Sequence, residues 1–197
     1  MNFLRPTLAA ALLAAGVWLT CGAWVQDGKP LPDGMKRWQE ACTPSPAHKE
    51  LARFIGTWDT ETAFTGMGDD QKSKGTAEWR WLFDGRWIQQ TWSGSMMGQP
   101  VQGQMTLGYD NFKQKYVGSS VNTLETTMQS YAGNFDQSHT ALISYGKMDE
   151  PMTGEVDKPV KFVWRFEGKD KMTFEVHDLA IGETNTKVVT IVYTRRS

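Results

Sequence analysis

From Thr57 to Arg195 apolar and polar residues alternate with a period of two, and turn residues interrupt the alternation at short intervals. This pattern constrains the fold more than any other feature of the chain. The turn signals are Gly66 with Gly68, Asp84-Gly85, Gly98 with Pro100, Asp110-Asn111, Pro151 with Gly154, Gly168 and Gly182. The expected strands are 57–65, 74–83, 86–94, 100–109, 114–122, 126–134, 138–145, 158–167, 171–178 and 185–195. No helical run of crossover length lies between them, so a parallel sheet is disfavoured. A long succession of hairpins must hide its edge strands. Closure into a ten-stranded antiparallel up-and-down β-barrel does so, and a two-sheet sandwich is the alternative.

One hairpin orients the strands. With Asp84-Gly85 as a two-residue loop, Leu82 faces Trp87, Trp81 faces Ile88, Arg80 faces Gln89 and Trp79 faces Gln90. Residues directly opposite share a face. One face therefore carries Ala77, Trp79, Trp81, Ile88, Gln90 and Trp92, and the other carries Glu78, Arg80, Gln89 and Thr91. The first face is the interior, because burying the second would leave charges unpaired. The same alternation sends Val101, Met105, Leu107 and Tyr109 inward, then Phe162, Trp164 and Phe166, then Met172, Phe174 and Val176.

The barrel domain is expected over residues 47–197. It opens with a short capping helix, Ala47 to Ile55, introduced by Ser45-Pro46 and ended by Gly56. Residues 24–46 form a leader in which Pro30, Pro32, Asp33 and Gly34 oppose regular structure at first. Met35 to Cys42 is expected to make one or two helical turns before Pro44 and Pro46 break them. Residues 1–23 have the form of an export signal, with Arg5 ahead of an apolar run from Leu8 to Leu19 and cleavage expected after Ala23. That run falls short of the roughly 20 apolar residues that span a bilayer, so no membrane span is expected and the product is periplasmic or secreted. Lipid attachment at Cys21 is the lesser reading, because Trp18 and Thr20 stand where a bacterial lipoprotein usually has Leu and a small residue.

Composition removes several function classes. The net charge is -1, which gives no bias toward nucleic acid. Two Cys build neither a disulfide scaffold nor a four-Cys zinc site. His48, His139 and His177 are isolated from one another and from other ligand types, so no metal is expected. His48 is expected to cap its helix or face solvent, and His177 to point outward. There is no nucleophile elbow, no His-Glu-x-x-His and no phosphate-binding glycine loop. The acidic pairs Asp69-Asp70 and Asp149-Glu150 fall in expected turns. No catalytic residue is assigned, and the balance is against an enzyme.

Gly56-Thr57-Trp58, placed after a short helix and before a meander, resembles the Gly-x-Trp motif of lipocalins. That resemblance implies that Trp58 plugs one end of the barrel and that Arg195, near the C-terminus, lies across its ring. A wider set of motifs is similar to the bacterial family labelled domain of unknown function 1579. They are His48-Lys49 through Trp58, Phe83-Asp84-Gly85-Arg86-Trp87-Ile88-Gln89-Gln90, Ser93-Gly94-Ser95-Met96-Met97-Gly98, Leu107-Gly108-Tyr109-Asp110-Asn111, Lys115-Tyr116-Val117-Gly118 and Tyr193-Thr194-Arg195. This resemblance implies a lipocalin-like barrel, often exported, and carries no activity or ligand with it. Nitrobindins, ten-stranded barrels that hold haem through a His near the C-terminus, differ here, since no His follows His177. No cofactor is expected.

The interior aromatics supply the candidate site. Trp79, Trp81, Trp92 and Trp164, with Met105 and Tyr109, either line a cavity for a small, largely apolar ligand or fill it. Gln90 is the polar member, and its amide must find partners such as Thr60 or Tyr109, or orient a ligand. The rivals are an envelope protein-interaction module using its surface or leader, and an enzyme using the cavity. The enzyme would need an inward titratable group, which none of the inward positions assigned above provides.

Overall fold

The computed structural model describes residues 31–65, 72–96, 98–179 and 187–197. The expected export segment, Cys21 and the Asp69-Asp70 pair lie outside the described residues. The chain divides into two units, Met1–Thr43 and Pro44–Ser197. In the first, helix α1 covers Asp33–Cys42. It starts two residues before the expected Met35, because the Pro32 carbonyl accepts hydrogen bonds from the backbone N–H groups of Met35 and Lys36. Thr43 closes it by donating through both its backbone N–H and its hydroxyl to the Gln39 carbonyl.

The second unit begins with α2, Pro46–Glu50, which runs into a single 3-10 turn, Leu51–Arg53. Pro46 occupies the first turn, where its missing N–H costs nothing. His48 does cap this helix, its Nδ1 accepting from the Ser45 backbone N–H at 2.9 Å. It does not face solvent, however. Its ring is buried and meets Tyr109 edge-on, and burial lowers its pKa. The ring is therefore neutral at pH 7, as an accepting Nδ1 requires.

Ten strands follow among the described residues: β1 Gly56–Phe64, β2 Lys72–Leu82, β3 Trp87–Met96, β4 Gln99–Asp110, β5 Lys115–Asn122, β6 Gln129–Phe135, β7 Ala141–Glu150, β8 Glu155–Phe166, β9 Lys171–Asp178 and β10 Lys187–Arg195. Each pairs antiparallel with its neighbours in sequence, and β10 pairs with β1, so the sheet closes. Closure excludes the sandwich and leaves no unpaired edge. The β2–β3 hairpin has the expected register at all four pairs, from Leu82–Trp87 to Trp79–Gln90. Asp84 and Gly85 both take positive φ, 54° and 81°, which suits the right-handed twist of the flanking strands.

Strand bounds differ from expectation by several residues at β6, β7 and β8. β6 starts at Gln129 rather than near 126, because Asn122 and Gln102 take up the backbone N–H groups of Leu124 and Thr123 in a loop. The β7–β8 hairpin is longer than expected at its tip. Pairing continues through Met148–Lys158 to Glu150–Glu155, with a bulge between Met148 and Glu150.

The start of β1, the end of β10 and α2 share one end of the barrel, called the plugged end below. Loop 123–128 and turn 151–154 lie at the other end, which holds no such plug among the described residues and is called the open end below.

Candidate functional site: the barrel interior

Trp58 enters the plugged end and is sealed from solvent. Its indole Nε1 donates to the Phe54 carbonyl at 2.8 Å, which ties the first strand to the turn before it. The Arg195 guanidinium lies 4.1 Å from the centre of the ring. It also donates to the carbonyls of Ile55 at 2.6 Å and Lys169 at 2.9 Å. Trp58 and Arg195 are register partners on β1 and β10, so barrel closure itself brings them together. Gly56 has φ 130°, and a Cβ there would collide with the guanidinium. The glycine of Gly-x-Trp is thus required twice, by conformation and by space.

Above the plug the barrel is filled. Phe54, Trp79, Ile88, Leu107, Leu142, Trp164 and Met172 are almost completely buried. Trp79 meets Trp164 edge-on at 5.8 Å, and Phe54 contacts both rings. Gln90 is 1% exposed in this layer. Its Nε2 donates to the Tyr193 hydroxyl at 3.2 Å, not to Thr60 or Tyr109. Tyr193 is the register partner of Thr60 and reaches further into the interior than a threonine can. Burial raises the Tyr193 phenol well above its ordinary pKa even though the Gln90 amide works the other way, so it stays protonated. Gln90→Leu is expected to cost about 1–3 kcal/mol in a urea denaturation curve, since it strips a partner from a buried hydroxyl. A variant as stable as the parent would show that the pair carries no weight.

Three polar atoms in the interior find no partner within the protein: the indole Nε1 of Trp79, the indole Nε1 of Trp164 and the hydroxyl of Tyr131. A buried donor left in this state costs about 1–3 kcal/mol. Burial, with a smaller contribution from the nearby Tyr193, raises the Tyr131 phenol far above its ordinary pKa.

Toward the open end the interior is lined rather than filled. Thr60, Thr62, Trp92, Ser120, Gln129 and Ile191 point inward and are only half-buried. Two large rings lie against the wall over glycines. The Trp92 indole occupies the space a Cβ would take at Gly103, and the Tyr131 ring does the same at Gly118. In each case the glycine is the register partner on the adjacent strand.

The open end also holds an inward charge that the sequence reading missed. Lys158 is 7% exposed, and its Nζ lies 2.8 Å from Asp178, 3.6 Å from Glu155 and 3.7 Å from Glu150. Burial alone would lower its pKa, but the hydrogen bond and charge of Asp178, with the two glutamates, hold it above the ordinary value. The signal was present. Two more steps of the alternation that placed Phe162 and Phe174 inward reach Lys158 and Asp178, the latter being the register partner of Val160, one inward step from Lys158.

The expected site residues are dispersed along the barrel axis. Trp79, Gln90 and Trp164 lie together in the filled half, with Met105 opposite Gln90. Trp92 is in the lined half. Tyr109 is near the plugged end against His48 and Tyr116. Trp81 was expected inside but is 39% exposed. The pairing of β1 with β2 starts at Gly56–Trp79, so Trp81 lies beyond the first residue of β1 and has no strand on that side.

A separate concavity of about 600 Å³ opens on the outer face of β1–β5, among Thr57, Glu78, Thr91, Gln104, Thr123 and Arg196. It is lined by solvated hydroxyls, amides and charges, and it is not the lumen. Among the described residues no group of three or more His, Cys, Asp or Glu side chains is arranged to hold a metal, and no helix is long and apolar enough to cross a membrane.

A family model described as "Protein of unknown function (DUF1579)" matches residues 43–195. No curated protein matches the chain. Among solved structures, Rv2717c from M. tuberculosis is similar at 11% identity and a TM-score of 0.56, over 79% of this chain and 100% of that one. A redesigned beta barrel aligns at 12% identity and a TM-score of 0.42, over 78% of this chain and 100% of that one. Another, mFAP1 bound to DFHBI, aligns at 14% identity and a TM-score of 0.38, over 77% and 100%. At such identities the first likeness speaks to the fold alone.

Proposed function

Starting from the fact that this chain belongs to the DUF1579 family of proteins of unknown function, we propose that it is an exported barrel that takes a small, largely apolar ligand into its lumen. The observation that carries this is the interior itself. One end is closed by Trp58 and Arg195, and the other half is lined by half-buried side chains, Trp92 and Ile191 among Thr60, Thr62, Ser120 and Gln129. A barrel of ten strands has more interior than side chains need for filling, and the half-buried inward residues gather in one half. Export rests on Arg5 and the apolar run from Leu8 to Leu19.

Native mass spectrometry of the protein taken from envelope fractions of its source tests both parts in one spectrum. The expected result is a polypeptide starting at Trp24 that carries a small molecule lost on denaturation. A chain starting at Met1 overturns export. A ligand-free chain that also binds no apolar probe overturns the lumen reading. The polar concavity on β1–β5 favours a second reading, an outer surface that engages a partner. A stable protein companion in the same spectrum would favour it.

A further inference from the structure

Resting on that lumen reading, we infer that the ligand is uncharged and presents a hydrogen-bond acceptor, a ketone or quinone carbonyl, to the floor of the lumen. The floor offers three donors that no group of the protein satisfies. Trp79 Nε1, Trp164 Nε1 and the Tyr131 hydroxyl are buried, lie on the inward face of their strands and are unpartnered within the protein. An indole N–H is a donor only, so two of the three atoms are satisfied by an acceptor and by no other group. Tyr131 completes the set as a neutral phenol, because its raised pKa keeps the proton on.

Charge decides between kinds of acceptor. A carboxylate brought into this interior would need a cation to offset its desolvation. Among the described residues, Arg195 and Lys158 are the strand cations of inward parity, and both are already engaged. Arg195 is spread over the Trp58 ring and backbone carbonyls at the plugged end. Lys158 is held by Asp178, Glu155 and Glu150 at the open end. A cationic head group would leave the two indole N–H donors without an acceptor. A neutral carbonyl oxygen has two lone pairs for these donors and carries no charge to desolvate, while the surrounding Phe162, Phe174 and Trp164 rings suit an apolar body.

Calorimetric titration of the full chain with three probes of matched shape tests this: 2-acetonaphthone, 2-ethylnaphthalene and 2-naphthoate. The expected order places the ketone about tenfold or more ahead of the hydrocarbon, a difference of ~1.4 kcal/mol, with the carboxylate weakest. The ketone carbonyl stretch should move to lower frequency on binding. Trp164→Phe and Tyr131→Phe keep a ring and remove a donor. Each should weaken the ketone several-fold more than it weakens the hydrocarbon, and reduce the ketone's infrared shift. Equal affinity for ketone and hydrocarbon, a preference for the carboxylate, or donor variants without effect on the ketone would overturn the inference while leaving the lumen reading intact. If none of the three probes binds, the lumen reading fails and the inference with it.

Discussion

Trp58→Ala is expected to lower the stability of the barrel by about 3–5 kcal/mol, as truncations of buried tryptophans do. The indole is 1% exposed, so its whole ring becomes a cavity. The change also removes the hydrogen bond to the Phe54 carbonyl and the surface on which Arg195 stacks. Phe54 in turn packs on Trp79, Trp164 and Phe166, so the loss extends into the filled half. Urea denaturation followed by circular dichroism reads the effect, and a loss below about 1 kcal/mol would show that the plug is not structural. Arg195→Lys separates the ring from its cover. It keeps the charge but not the planar fork that stacks on the indole and reaches two carbonyls, so it should fall between the parent and Trp58→Ala.

Lys158→Met is expected to cost a similar amount, about 3–5 kcal/mol, for a different reason. The methionine fits the space, but Asp178 loses its ammonium partner while 6% exposed, and Glu150 and Glu155 lose theirs nearby. The penalty is a buried carboxylate stripped of its ammonium partner rather than a cavity. Adding Asp178→Leu should recover much of the loss, and the interaction energy of this double-mutant cycle measures the pair. Additive single costs would contradict the account. The sign with pH also follows. The folded state holds the lysine proton more tightly than the unfolded chain, whose reference is 10.5. The contribution is therefore complete below that value and fades as pH rises through the raised folded pKa. The neutral-pH stability difference between the parent and Lys158→Met should shrink in strongly alkaline buffer.

Much of the fold was legible because its determinants are local. Asp84-Gly85 between two alternating runs sets a hairpin register without reference to anything distant, and that register holds at each pair from Leu82–Trp87 to Trp79–Gln90. Pro46 after Ser45 marks the start of the capping helix in the same way. Local pattern was less informative where pairing depends on a partner strand. The β7–β8 hairpin runs past its expected end because two charged segments pair across a bulge around Lys158, and alternation of apolar residues does not register a strand whose inward residues are charged.

The candidate site divides along the same line. Periodicity determines which face a residue occupies, so the chain alone placed Trp79, Gln90, Trp92, Met105 and Trp164 inward. It does not determine height along the barrel axis, because that depends on strand stagger and on which neighbours extend as far. Trp81 shares the inward parity and is left exposed beyond the first residue of β1. Gln90 is inward as its parity requires, but its partner is Tyr193, distant in sequence, because ten strands closing on themselves bring β3 and β10 to one interior. Which donors go without a partner, which half is filled and which cation is buried are set by closure. Sequence alone determined the alternation and the turns, since these follow from backbone geometry and residue type, while the Gly-x-Trp plug was implied by a resemblance. Tertiary structure decided the depth, partners and charge of each interior group, since these depend on distances between strands that no local pattern encodes.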